Sequence, residues 1–192
     1  SLRGTFFAAG YIGENDSPWP ADRLYFNYTY YHEVRFPIES VHRQTFGIEK
    51  TIFDGRASLG VRRPFFQVDL RDGAEAVFPA GSDNSAVGDL ILIGKVALRR
   101  RPSSVVCAGL VLTLPTGPNP DAVLDNGKEV HATLLQPFLG AGKVWDKLYV
   151  QGFTSLMVPT DSDDVTIYFA DVGVGRWFDV GDGLVKAIAP TF

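Results

Sequence analysis

The sequence predicts an all-β protein, an antiparallel up-and-down transmembrane β-barrel of about 8–12 strands. Three observations predict it. The first is Val87–Thr116, where two long strand-forming runs flank a short charged turn, Arg99–Ser104. Strands of soluble domains are typically about five or six residues long, whereas a strand that crosses a bilayer needs about nine to eleven. The second is the alternation within those runs. Leu90, Leu92, Val96 and Leu98 share one face with Gly94, while Asp89, Ile91, Ile93, Lys95, Ala97 and Arg99 share the other. Val106, Ala108, Leu110, Leu112 and Leu114 then lie opposite Val105, Cys107, Gly109, Val111 and Thr113. The third is composition: 12% aromatic residues and 20 glycines suit strands and tight turns.

The totals set the remaining bounds. A chain of 192 residues with 45% hydrophobic content supports one domain, 1–192, with residues 1–22 as an irregular lead-in. Its net charge of -4 argues against nucleic acid, which needs a basic stripe. The single cysteine, Cys107, excludes an intramolecular disulfide and reads as a wall residue. No stretch has the length of a transmembrane helix, and that leaves barrels open, because their strands carry a weak hydropathy signal. The chain opens at Ser1 without an initiator Met, which fits either a removed signal peptide or a fragment.

Along the chain, the segment "ENDSPWPADR" leads into a first strand over 23–32, where Leu24, Phe26, Tyr28 and Tyr30 alternate with Tyr25, Asn27, Thr29 and Tyr31. The tyrosine density suits an aromatic girdle or an aromatic core. Strands over 41–52 and 57–66 flank Asp54-Gly55, a pair suited to a type I′ turn because both central positions need φ > 0. Residues 67–86 form a polar loop of about twenty residues, too long for an idle connector. "RRRPSS" at 99–104 reads as a solvated turn between two strands, and "LPTGPNPDAVLDNGKEV" as a second long loop. Strands follow over 130–142, 147–158 and 165–178, with a last one near 184–190. About nine strands and no helix result.

Chemistry is sparse. His32, His42 and His131 lack metal-ligand spacing, and no metal or cofactor is expected. No G-x-S-x-G elbow occurs. "GAGK" at 140–143 lacks the glycine spacing and the Ser or Thr of a phosphate loop. Asp161, Asp163 and Asp164 lack the EF-hand spacing. The chain is therefore not expected to be an enzyme. Glu49, Arg62, Asp89, Lys95, Gln151 and Asp171 alternate with apolar neighbours inside predicted strands. In a membrane barrel they must face the lumen, since Arg or Lys at mid-depth toward lipid costs roughly 2–4 kcal/mol. An ordinary sheet with one wet face gives the same period.

Several phrases, in order, carry a resemblance: "GDLILIGKVALRR", "AGLVLTLPTG", "LQPFLGAGKVWDKLYVQGFTSLMVPT" and "VTIYFADVGVGRWF". Together they resemble the outer-membrane β-barrel family named for the meta-pathway of phenol degradation. Gly88-Asp89 opens a strand, Pro115-Thr116-Gly117 ends one, and Gln136–Phe138 with Gly140 opens the next, as in that family. The resemblance spans residues 17–192 and implies a Gram-negative-type outer membrane and passage of small solutes, aromatic ones included. Members continue past the point where this chain stops, so the expectation is a barrel or most of one. The expected partners are outer-membrane lipid and a small-molecule solute. Two alternatives remain: a plugged barrel that stabilises the envelope, and a soluble barrel binding an apolar ligand. The soluble barrel requires apolar residues inside and polar residues outside.

Overall fold

The structure is a computed structural model that describes residues 17–35, 38–70, 85–117, 132–161, 165–179 and 187–188. The strands are β1 (Arg23–Arg35), β2 (Ile38–Ile52), β3 (Ala57–Leu70), β4 (Ser85–Val87), β5 (Leu90–Arg101), β6 (Ser104–Leu114), β7 (Leu134–Trp145), β8 (Leu148–Pro159) and β9 (Ile167–Arg176), followed by β10 (Phe178–Asp179) and β11 (Ala187–Ile188). No helix occurs among the described residues.

The sheet follows the chain. Its order is β1-β2-β3-β5-β6-β7-β8-β9, and short β4 adds to β3. Every pairing is antiparallel. The result is a curled half-barrel with β1 and β9 at its two ends. β10 and β11 form a separate two-stranded sheet.

Tight turns close one end. The Phe53–Arg56 turn is bridged by the Arg56 amide donating to the Phe53 carbonyl at 3.1 Å. Asp54 and Gly55 sit at its centre with φ of 54° and 75°, as the Asp-Gly pair predicts. Arg101 pairs with Ser104, and Trp145 with Leu148, so each of those turns has two residues. The turns are stitched to their neighbours. Arg100 donates to the Gly55 carbonyl at 2.6 Å. The Val144 amide donates to Ser103, and the Trp177 amide to Lys147.

Alternation sorts side chains onto two faces. The concave face buries Val41, Ile91, Ile93, Cys107, Val111, Phe138 and Phe153, and six of these (all but Val41) form one apolar cluster. The convex face exposes large apolar side chains instead: Ile48 is 57% exposed, Leu59 59%, Leu139 52% and Val172 74%. Leu110 and Leu148, both 44% exposed, lie with them.

Small side chains shape the inner wall. Gly47 pairs across the sheet with Tyr25, Gly109 with Phe138, Gly140 with Phe153, and Gly175 with Tyr149. In each pair the ring lies where a Cβ on the glycine would stand, within 2.2 to 2.7 Å of it. A flat ring on a bare backbone packs the concave side without thickening the wall.

Several boundaries differ from the sequence expectation. The strand expected over 130–142 is Leu134–Trp145, so "GAGK", expected as a strand end and turn, lies wholly inside β7. The strand expected over 165–178 stops at Arg176. The register shifts between Ala97 and Arg99, where Leu98 is an extra residue. That bulge pairs Arg99 with outward-facing Val106 and moves Arg99 off the face of Lys95, where strict alternation would put it. Most of both expected long loops, and His131, lie outside the described residues.

Candidate functional site

The concave face near the short turns carries a buried charge cluster. Glu49 projects inward from β2 and is 5% exposed. Its cross-strand partner is Gly60 on β3, which leaves room above the carboxylate for side chains from adjacent rungs. Ser58 on β3 donates to Glu49 Oε1 at 2.5 Å. Lys95 on β5, the rung opposite Ser58, holds its Nζ 2.9 Å from the same oxygen. Arg23, at the start of β1, donates through Nε to Glu49 Oε2 at 2.6 Å. One carboxylate therefore ties together four strands. Burial of such ions requires that every charge be matched by partners in good geometry.

A short strap of chain crosses the same face. The Ser17 carbonyl accepts a hydrogen bond from Lys95 Nζ at 2.8 Å. The Pro18 side chain is fully buried, and Pro20 is buried as well. The Trp19 ring reaches β7, where a Cβ built on Gly142 would lie 2.3 Å from it. The Ala21 amide then points back to Glu49 Oε1 at 3.4 Å. Sequence chemistry permits this burial. Pro18 and Pro20 lack an N–H, so Trp19 alone between them has a backbone donor. That donor is satisfied by Ser17 Oγ at 3.2 Å.

The sequence-expected lumen residues fall into three groups. Glu49, Arg62 and Lys95 lie on the concave face, buried to 5%, 2% and 6% exposure. Gln151 and Asp171 lie on the same face toward the β9 end of the sheet and are half-buried. Asp89 precedes β5 at the long-loop end. Its Oδ1 accepts the amides of Thr116 and Gly117 at 3.0 and 2.9 Å, so it fastens a turn. The strand expected to include it begins one residue later, at Leu90.

Other buried polar groups lie deeper on the concave face. Arg43 is 5% exposed, and its guanidinium sits 5.9 Å from the Phe66 ring. Gln136 donates to Ser155 Oγ at 2.9 Å beside the apolar cluster. The two-residue period of β2 and β7 is the signal that points both residues inward, but neither belongs to a motif that singles it out.

The outer side of β1–β3 holds a second polar group. Asp69 Oδ2 accepts from Ser40 Oγ at 2.6 Å and lies 3.1 Å from His42 Nε2. The Tyr28 hydroxyl lies 2.6 Å from His42 Nδ1. The carboxylate is the hub of this group, and the serine hydroxyl is tied to it rather than to the imidazole. A nucleophilic serine needs the imidazole in the middle. The group therefore cross-links strands. Among the described residues no three His, Cys, Asp or Glu side chains converge to hold a metal ion.

Comparison of the chain with protein-family models, curated proteins and solved structures finds no match in any of the three.

Proposed function

We propose that this chain forms the wall of an outer-membrane β-barrel that passes small solutes passively. The observation that carries the reading is the apolar convex face of the sheet. Large apolar side chains cover it, while the concave face buries Glu49, Arg62 and Lys95 beside an apolar cluster. A water-soluble sheet of this curvature would place its leucines inward, and an apolar outer band of this extent marks contact with protein or membrane. Strand length supports the same reading: β5 has 12 residues and β6 has 11, against the nine to eleven or so that a tilted strand needs to cross a bilayer. The resemblance of the ordered strand phrases to an outer-membrane barrel family agrees with it. The Ser17–Pro20 strap favours a second reading, a plugged barrel that stabilises the envelope.

Planar-bilayer reconstitution tests the proposal. Stepwise conductance is expected, and Gln151→Lys is expected to move ion preference toward anions. No conductance from either the parent or a Trp19→Ala variant refutes passage. Recovery of the protein in the aqueous phase after detergent phase separation refutes the membrane assignment.

A further inference from the structure

We infer that Ser17–Pro20 is a removable plug, seated by Gly142 and latched by Lys95, that closes the concave side of the barrel at the short-turn end. The inference rests on the passage reading above.

Three observations converge on it. The first is reach. From Ala21 beside Glu49 on β2, through the Ser17 carbonyl on Lys95 of β5, to Trp19 on β7, the strap touches strands on both sides of the curl. A segment lying along one wall would not meet β2 and β7 together. The Pro18 side chain is fully buried, so the strap is packed against the wall and not merely laid over it.

The second observation is the seat. Four inward glycines are each covered by an aromatic ring from the directly paired strand. Gly142 is paired with Val105 on one side and Gln151 on the other, neither of them aromatic. Its ring comes from Trp19 in the strap, and Pro18 Cγ lies 2.8 Å from the same Cβ position. The strap thus supplies at β7 what a neighbouring strand supplies elsewhere. Any side chain at position 142 would displace it.

The third observation is the latch. The Lys95 side chain is 3% exposed and divides its donors between a carboxylate and the Ser17 carbonyl. An ammonium held that dry is stable only while both acceptors stay in place. Strap and charge cluster therefore hold or release together. Pro-Trp-Pro suits removal as well as seating. With one backbone N–H among the three residues, already bonded to Ser17 Oγ, it pairs with no strand edge and breaks no ladder on leaving.

The test uses the full chain with Trp145→Phe and Trp177→Phe, which leaves Trp19 as the only tryptophan. Both replaced side chains are exposed. In detergent and in vesicles, Trp19 emission is expected to be shielded from acrylamide. Gly142→Leu is expected to raise the quenching constant about threefold or more as the ring leaves its seat. In planar bilayers, Gly142→Leu is expected to conduct severalfold more than the parent. Trp19→Ala alters no strand residue, so it decides the conductance question if Gly142→Leu loses its β-sheet circular dichroism. It too is expected to raise conductance severalfold.

A Trp19 as quenchable in the folded parent as in urea overturns the seating and leaves the passage reading intact. Equal conductance in a conducting parent and both variants overturns the plug alone. Release of Trp19 with no conductance from any of the three proteins refutes passage, and the plugging role falls with it.

Discussion

Replacing Lys95 with methionine tests whether the charge cluster is as dry as its geometry implies. Methionine keeps much of the side-chain volume and removes the ammonium. At 2.9 Å the Lys95–Glu49 pair has a gross attraction of roughly 6 kcal/mol for an effective dielectric near 20. Most of that offsets the desolvation of two ions, so the net effect comes from what the variant leaves behind. Glu49, 5% exposed, keeps Arg23 and Ser58 but loses its nearest ammonium. The Ser17 carbonyl loses its donor, an orphaning that costs about 1–3 kcal/mol. Removing one partner of a buried pair costs about 3–5 kcal/mol in general. Because Arg23 remains, we expect about 3 kcal/mol here. Equilibrium urea unfolding in detergent micelles, followed by circular dichroism, measures it as a lowered midpoint with an unchanged slope. Glu49→Gln is expected to cost a similar amount. The double variant should fall short of the sum by about 2 kcal/mol, as contacting charges do in such cycles. A loss below about 1 kcal/mol for Lys95→Met, the range of exposed pairs, would refute the argument.

Other consequences are as specific. Gly109→Ala is expected to lower stability by about 1–3 kcal/mol, because its Cβ would stand 2.4 Å from the Gly94 carbonyl oxygen, and backbone cannot rotate away. Gly94→Ala, whose nearest neighbour would be a Leu59 methyl at 3.7 Å, should change stability by less than about 0.5 kcal/mol, and the same unfolding curves compare the two. Leu110→Arg on the convex face should cost roughly 2–4 kcal/mol in vesicles if that face meets lipid. An unchanged unfolding midpoint in vesicles would argue against lipid there. Hydrogen bonds from Lys50 and Thr51 hold the exposed Asp22 carboxyl well below the usual aspartate range. Its stabilising effect is present above the unfolded aspartate pKa of about 3.9 and lost only as pH falls through the lower folded value. Carbon NMR of the carboxyl should show Asp22 still ionised where free aspartates titrate, and Lys50→Met should bring it back toward them. Ordinary titration in the parent would contradict the geometry.

Local signals in the sequence carried the sheet. Alternation through Leu90–Leu98 and Val106–Leu114 gave two strands and their faces, and Asp54-Gly55 gave a turn, because both effects act over a few residues. Inward placement of Glu49, Arg62 and Lys95 followed from the same period. What alternation could not supply was anything set by a distant partner. Leu98 reads as one more apolar residue among others, so the bulge that turns Arg99 outward leaves no mark. Asp89 keeps the phase of Lys95 but stands outside the strand, where its carboxylate finds the Thr116 and Gly117 amides. Glu49 and Lys95 are far apart in the chain, and only the order β2-β3-β5 makes them neighbours. The strap was the least legible part. Ser17–Pro20 has no period, and the Gly142 slot exists only once β7 has a register against β6 and β8.

The long strands of this sheet are neighbours in space because they are neighbours along the chain. Each hairpin closes over a short distance, a microsecond-scale event, without waiting for a remote segment to arrive. Growth can therefore run like a zipper, with the newest strand serving as the template for the next. A chain halted partway presents the same kind of open edge at every stage. Two pieces severed between hairpins should retain matching edges by which to find each other again.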